Sequence, residues 1–214
     1  MSVHTQATQL LSEIPDHVTL LVASKYASDE QIIEAYNAGI RCFGENKIQD
    51  AERKIKSLDL PEASWHFIGH LQKNKVNKAI GLFDCIQSVD SEALLEKISA
   101  SCERENKTQN VYLQVNIAND PNKFGFDKET LLAALPNLFS IQNVRITGIM
   151  TIVPYSENDT ELRGYFKEAS DLFRYIQSKH PSVQSLSMGM SNDYKQAIEE
   201  GSTLVRIGRQ IFKG

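Results

Sequence analysis

Val18-Thr19-Leu20-Leu21-Val22-Ala23-Ser24-Lys25 decides how this chain folds. The run is rich in Val and Leu with no polar alternation, the pattern of a strand covered on both faces, as in a parallel sheet wrapped by helices. Helix-start signals follow at once in Ser28-Asp29-Glu30-Gln31, where Ser28 and Gln31 have capping-box spacing. Lys25 therefore stands at the mouth of a buried strand. Desolvation at such a place depresses the pKa of an amine, and an amine partly neutral near pH 7 is a nucleophile for carbonyl groups. The plainer reading of Lys25 is a side chain that snorkels to solvent or pairs with a carboxylate.

Working outward, apolar runs alternate with 3.6-period segments along the whole chain. Strands are predicted at 18–24, 41–44, 65–69, 85–89, 111–116, 144–151, 185–189 and 204–208, with helices near 29–38, 47–57, 74–82, 91–105, 127–135, 158–179 and 193–200. A short amphipathic helix at 5–13 precedes the first strand. The stripe Leu162, Tyr165, Phe166, Ala169, Leu172, Phe173 and Ile176 faces a core and carries no chemistry, and Asp90 and Ser91 sit where a helix start needs capping. Eight strand–helix units predict an α/β fold, a single (β/α)8 TIM barrel over residues 1–214. The alternative, a doubly wound open sheet, normally has a Gly-rich turn after its first strand; here that turn is Lys25-Tyr26-Ala27-Ser28.

In a barrel the active site gathers at the carboxyl ends of the strands. Those ends read Lys25; Glu45-Asn46; Gly69-His70; Ser88 and Asp90; Gln114 and Asn116; Met150-Thr151; Ser187-Met188-Gly189-Met190-Ser191; and Arg206 with Gly208. This is a polar ring around one lysine. The turn at Gly189–Ser191 and the segment Gly208-Arg209 follow strands 7 and 8, where barrels commonly bind phosphate on free backbone N–H groups. N-capping by Ser191 and a tight turn at Gly189 are the plainer roles. Arg206 ends an apolar run and needs a dedicated acceptor: a ring nitrogen or phosphate of a ligand, or a carboxylate such as Glu45 or Asp90. His66 and His70 have the spacing of a helical metal site but lie on a strand and the turn after it, so no metal is assigned. No nucleophile motif of a hydrolase is present.

Composition narrows the function classes. Of the 214 residues 41% are hydrophobic and 23% charged, ordinary for a globular protein, and the net charge of −4 gives no general attraction to nucleic acid or anionic membrane. Lys73, Lys75 and Lys78 read as a solvated helix face. The first 17 residues do not resemble a secretory signal and no stretch approaches a membrane span. Cys42, Cys85 and Cys102 are too few and too widely spaced for a disulfide framework or zinc site and suit buried thiols in a reducing cytosol. A cytoplasmic monomer is expected.

Lysine, phosphate loops and barrel together are the parts of a pyridoxal 5′-phosphate (PLP) site, and the chain from residue 18 onward resembles the YggS/PROSC family of pyridoxal phosphate homeostasis proteins. The matching segments are Leu21–Lys25, Phe43-Gly44-Glu45-Asn46, Trp65–Gln72 with Asn74-Lys75, Ser88–Ser91, Gln114-Val115-Asn116, Lys123–Phe126, Gly148–Thr151, Leu186–Ser191 with Asp193, and Val205–Gly208. Nine segments in order make the resemblance specific. It implies a barrel like the N-terminal domain of alanine racemase, with Lys25 carrying PLP as an internal aldimine. It further implies that Ser191, Gly208 and the backbone around them hold the phosphate, with Met188, Gly189 and Arg209 among the cofactor-binding residues, that Arg206 faces the pyridine nitrogen and that Asn46 lies near the ring. An arginine opposite that nitrogen discourages ring protonation and so weakens the cofactor's electron sink. The chain departs from the family in a short segment before the first strand and in Arg209, which either adds charge near the phosphate or points outward.

The resemblance implies a non-enzymatic protein that carries and buffers PLP in vitamin B6 and amino- and keto-acid balance, with PLP-dependent apoenzymes as recipients. Two enzymatic alternatives stand beside it. An amino-acid racemase needs a second base, for which Tyr26, Tyr155 and Tyr194 are the local candidates. A Schiff-base aldolase acting on a phosphorylated sugar would also use a barrel, a lysine and a phosphate site.

Overall fold

A computed structural model describes residues 1–212. Eight parallel strands close in sequence order into a barrel: β1 (Thr19–Ala23), β2 (Cys42–Glu45), β3 (Ser64–Phe67), β4 (Cys85–Val89), β5 (Gln109–Val115), β6 (Val144–Thr151), β7 (Ser185–Met190) and β8 (Leu204–Ile207). The closure joins β1 to β8 with Leu21 beside Arg206, while on its other edge Leu21 lies beside Cys42. All eight predicted strands are present.

The helices are α1 (Val3–Glu13), α2 (Asp29–Asn37), α3 (Ile48–Ser57), α4 (Val76–Ala79), α5 (Glu92–Arg104), α6 (Lys128–Leu138), α7 (Asp159–Lys179), α8 (Tyr194–Glu199) and α9 (Arg209–Phe212). Ser28 and Gln31 form the expected capping box on α2: Ser28 Oγ accepts from Gln31 N at 3.3 Å and Gln31 Oε1 accepts from Ser28 N at 3.0 Å. Ser91 occupies the N-cap of α5 without a side-chain cap bond, and its hydroxyl donates to Asp90 Oδ1 at 3.2 Å. The helix expected at 74–82 is split into a 3-10 turn at Lys73–Lys75 and the single turn α4. α6 runs past its expected end and includes Pro136 in its last turn, where Leu135 and Leu138 remain buried.

Strand alternation sorts the side chains into two cores. Leu21, Cys42, Cys85, Tyr112, Met150 and Leu204 fill the barrel interior. The opposite strand faces, with Val22, Phe43, Ile86 and Ile149, join the apolar faces of the helices in a larger outer layer. The α7 stripe belongs to that layer, with Leu162, Phe166, Ala169, Leu172, Phe173 and Ile176 all buried.

One ion pair is sealed in this outer layer. Lys54 on α3, 3% exposed, donates from Nζ to Glu45 Oε1 and to the carbonyl of Ser24, both at 2.7 Å, and Ser24 Oγ donates to the same Glu45 oxygen at 2.7 Å. Glu45 is thus not the acceptor for Arg206. It alternates to the outer side of β2 whereas Arg206 faces the interior. Removing one partner leaves a buried charge alone, so Lys54→Met is expected to lower unfolding stability by about 3–5 kcal/mol, and the double variant Glu45→Leu/Lys54→Met to recover most of that loss. Chemical denaturation measures both; a single-variant loss under about 1 kcal/mol contradicts the assignment.

Candidate functional site

At the carboxyl end of the barrel lies a cavity of about 470 Å³ whose walls include Lys25, Tyr26, Met190, Ser191, Arg206, Gly208 and Arg209. Lys25 is the second residue beyond β1. Its backbone is anchored from behind, since the Ser24 carbonyl that precedes it is the one held by Lys54 Nζ. Its side chain is exposed, with Nζ 5.1 Å from the centre of the Tyr26 ring. The desolvation expected at this lysine is therefore absent; the strand end projects the amine into the mouth rather than burying it.

Arg206 is the opposite case. It is 5% exposed inside the barrel, and Nη1 donates to the Ser187 carbonyl at 2.8 Å and to Ser187 Oγ at 2.6 Å, while Nη2 donates to the Thr151 carbonyl at 2.7 Å. Neither Glu45 nor Asp90 is its partner: Asp90 instead lies 3.2 Å from His70 Nδ1. Burial lowers its pKa to about 10, partly opposed by Asp193. A guanidinium has five N–H groups. Three are spent on these protein acceptors, and the remainder are available to a ligand in the cavity that Arg206 lines.

The turn after β7 supplies a second wall. Gly189 has φ +92°, and a Cβ there would lie 2.6 Å from Ala197 Cβ, so a glycine is needed for the turn to pack on α8. Asp193 Oδ1 accepts from Met190 N at 2.6 Å and closes the turn, bringing Ser191 to the cavity. Burial raises the Asp193 pKa. After β8, Gly208 passes so close to β1 that a Cβ would lie 2.7 Å from the Ala23 carbonyl. The chain then enters α9, whose first N–H groups have no preceding helical carbonyl to bond. Arg209, at the start of α9, is exposed and lines the cavity.

Of the predicted residues, Gly189 shapes the turn without lining the cavity, and Met188 and Asn46 also lie outside its walls. Met188 is wholly buried in the outer core, where strand alternation turns it towards the helices; its side chain does not reach the cavity. Asn46 lines a neighbouring cavity of about 220 Å³ with Lys47, His70 and Lys75, because the β2–α3 connection carries it sideways from the mouth. Conversely, Met190, Val153 and Phe212 line the Lys25 cavity without having been singled out as binding residues. Their signal was available only for Met190, which ends β7 beside Ser191.

A chain of buried polar groups underlies the site. Ser187 Oγ donates to Gln87 Oε1 at 2.7 Å, Gln87 Nε2 lies 2.7 Å from His66 Nδ1, and His66 Nε2 lies 3.1 Å from Ser64 Oγ. Burial lowers the His66 pKa to about 4. Among the described residues no group of three or more His, Cys, Asp and Glu side chains could hold a metal ion.

The sequence profile of the alanine racemase N-terminal domain matches residues 15–214. A pyridoxal phosphate homeostasis protein of Aquifex aeolicus is 39% identical over 194 residues, covering 90% of this chain and 85% of the relative. The structure of PipY from Synechococcus elongatus without PLP superposes with a TM-score of 0.94 at 40% identity, covering 99% of this chain and 100% of that one; PipY with PLP bound gives 0.91 at 37%. Alanine racemase from Streptomyces lavendulae shares the fold, with a TM-score of 0.81 at 15% identity over 98% of this chain and 56% of that one. The chain thus belongs to the alanine racemase N-terminal domain family of barrels. Within it, the chain is a member of the pyridoxal phosphate homeostasis proteins.

The buried His66 gives a pH prediction. Its folded pKa lies below the ordinary 6.5, so the unfolded chain binds the proton more readily, and stability falls as pH drops from about 6.5 towards 4. The full loss from this group is on the order of 3 kcal/mol. Denaturation curves of wild type and His66→Gln across this window should differ in slope, the variant being flatter; parallel pH profiles would contradict the assignment.

Proposed function

We propose that this chain binds PLP in the Lys25 cavity and acts as a carrier and buffer of the cofactor rather than as an enzyme. The observation that carries the reading is the convergence, on one cavity, of an exposed lysine amine, a phosphate-suited turn at Ser191 with the start of α9 and Gly208, and a buried arginine that keeps N–H groups unspent. PLP supplies an aldehyde that condenses reversibly with an amine, and Lys25 is the amine at the mouth. Ser191 and the first N–H groups of α9 donate to the phosphate. The close passage of Gly208 over Ala23 leaves no room for a side chain there. Arg209 adds positive charge at the same end. Arg206 addresses the ring nitrogen with the N–H groups that Ser187 and Thr151 do not take.

PipY, whose structure has been solved with PLP bound, supports this reading, as do the homeostasis proteins to which the chain is similar. The carrier role is favoured over racemisation by the position of the tyrosines. Tyr26 and Tyr155, at the cavity, are each 75% exposed, so neither is a desolvated base, and Tyr194 is turned away to donate to Glu13 Oε2 at 3.1 Å. In this reading the chain acts as a monomer that hands PLP to apoenzymes. Three buried free thiols, Cys42, Cys85 and Cys102, suit the reducing cytoplasm. Among the described residues no helix is long and apolar enough to cross a membrane.

The test is spectroscopic. Purified protein mixed with PLP should show a yellow absorbance that bleaches with borohydride and leaves a phosphopyridoxyl mass on Lys25. Lys25→Ala should lose the adduct yet unfold at the temperature of the cofactor-free wild type, because an exposed lysine changes stability by less than about 0.5 kcal/mol. A protein that stays colourless with added PLP, or an adduct on another lysine, would contradict the assignment.

A further inference from the structure

Arg206 is the first member of an ordered file of side chains that crosses the barrel interior from β8 through β7 and β4 to β3. The order of protons along it follows from the first member. A guanidinium only donates, so Ser187 Oγ accepts from Arg206 Nη1 at 2.6 Å and must send its own proton onward, to Gln87 Oε1 at 2.7 Å. With its oxygen committed to Ser187, Gln87 presents its amide N–H to His66 Nδ1 at 2.7 Å. His66 therefore accepts at Nδ1, carries its proton on Nε2 and donates to Ser64 Oγ at 3.1 Å. Each hydrogen bond removes the alternative at the next, and Ser187, Gln87 and His66 are all buried.

We propose that Ser187 and Gln87 are positioning residues of the cofactor site, holding the Arg206 guanidinium in one orientation with its unspent N–H groups towards the ring nitrogen and so keeping that nitrogen unprotonated. The inference rests on the PLP reading above. Its physical basis is that an N–H aimed at a pyridine nitrogen needs the bare lone pair, and it excludes a proton only if it stays aimed. Of the three acceptors that hold Arg206, two are backbone carbonyls fixed by the strands. Ser187 Oγ is the adjustable one, and Gln87 fixes the direction in which that hydroxyl points. Ser187→Ala leaves both carbonyls in place, so the arginine stays buried but loses the anchor that sets its tilt.

The experiment uses PLP labelled with 15N in the ring, bound to wild type, Ser187→Ala and Gln87→Leu, with thermal unfolding recorded alongside. Wild type should show the ring-nitrogen shift of an unprotonated pyridine. In either variant that shift should move towards the protonated value, with PLP released about tenfold faster, the scale of one hydrogen bond to a charged group. A merely structural role would lower the melting temperature and leave the ring shift in place, and that outcome would overturn the proposal. So would a wild-type His66 that, free of PLP, carries its proton on Nδ1 by 15N histidine NMR. If Gln87→Leu does not fold, Ser187→Ala decides alone. Wild type that takes up no PLP while His66 shows the Nε2–H tautomer would instead remove the cofactor reading, and this role with it.

Discussion

A cation buried inside the barrel without a carboxylate to pair with is the constraint on which the rest of this site depends. Moving a guanidinium out of water costs several kcal/mol after relaxation, and a salt bridge is the usual compensation. Arg206 has none among the described residues; its compensation is two strand carbonyls and one serine hydroxyl. This fixes its surroundings. Position 187 must offer an acceptor, Thr151 must present its carbonyl inward at the end of β6, and the serine's own proton must find Gln87. A polar file thus replaces packing across the upper barrel, while Leu21, Cys42, Cys85, Tyr112 and Leu204 fill the rest.

The same chain handles its other buried cation in the opposite way. Lys54 is paired directly with Glu45 on the helix side of β2 and also holds the Ser24 carbonyl. Ser24, Glu45 and Lys54 are all buried there, and Ser24 immediately precedes Lys25. The amine itself stands exposed above the mouth, close to Tyr26. A buried, hydrogen-bonded base under a solvent-facing amine suits a site that forms and releases a covalent bond to a cofactor. Two-base racemisation would need a second acid–base group at the cavity, and Tyr26 and Tyr155 are exposed there.

The architecture was legible because parallel strands covered on both faces read as unbroken apolar runs, and all eight fell where those runs lie. Ser28 and Gln31 were legible as a cap because that motif is local. Ser91 has the N-cap position of α5 but makes no cap bond; its hydroxyl is turned to Asp90. At the site, Lys25, Ser191, Arg206, Gly208 and Arg209 come together as their places at strand ends imply. Two predicted residues have side chains outside that cavity's walls. Met188 alternates outward and Asn46 is carried round by its loop to another cavity. The partners of Arg206 were hidden because Ser187 and Gln87 are 100 positions apart, and only the closed barrel brings their side chains to 2.7 Å. The alternations Ser64-Trp65-His66, Cys85-Ile86-Gln87, Ser185-Leu186-Ser187 and Leu204-Val205-Arg206, each with a polar residue on the inward face, were the trace of that network in the sequence.

The most direct test of the central claim is a crystal structure of the protein with PLP. The account predicts continuous density from Lys25 Nζ to the cofactor, the phosphate against Ser191 and the start of α9, and Arg206 donating to the ring nitrogen while still bonded to Ser187 and Thr151. Cofactor density in the neighbouring cavity of Asn46, Lys47 and Lys75, or a phosphate placed away from Ser191 and α9, would contradict it.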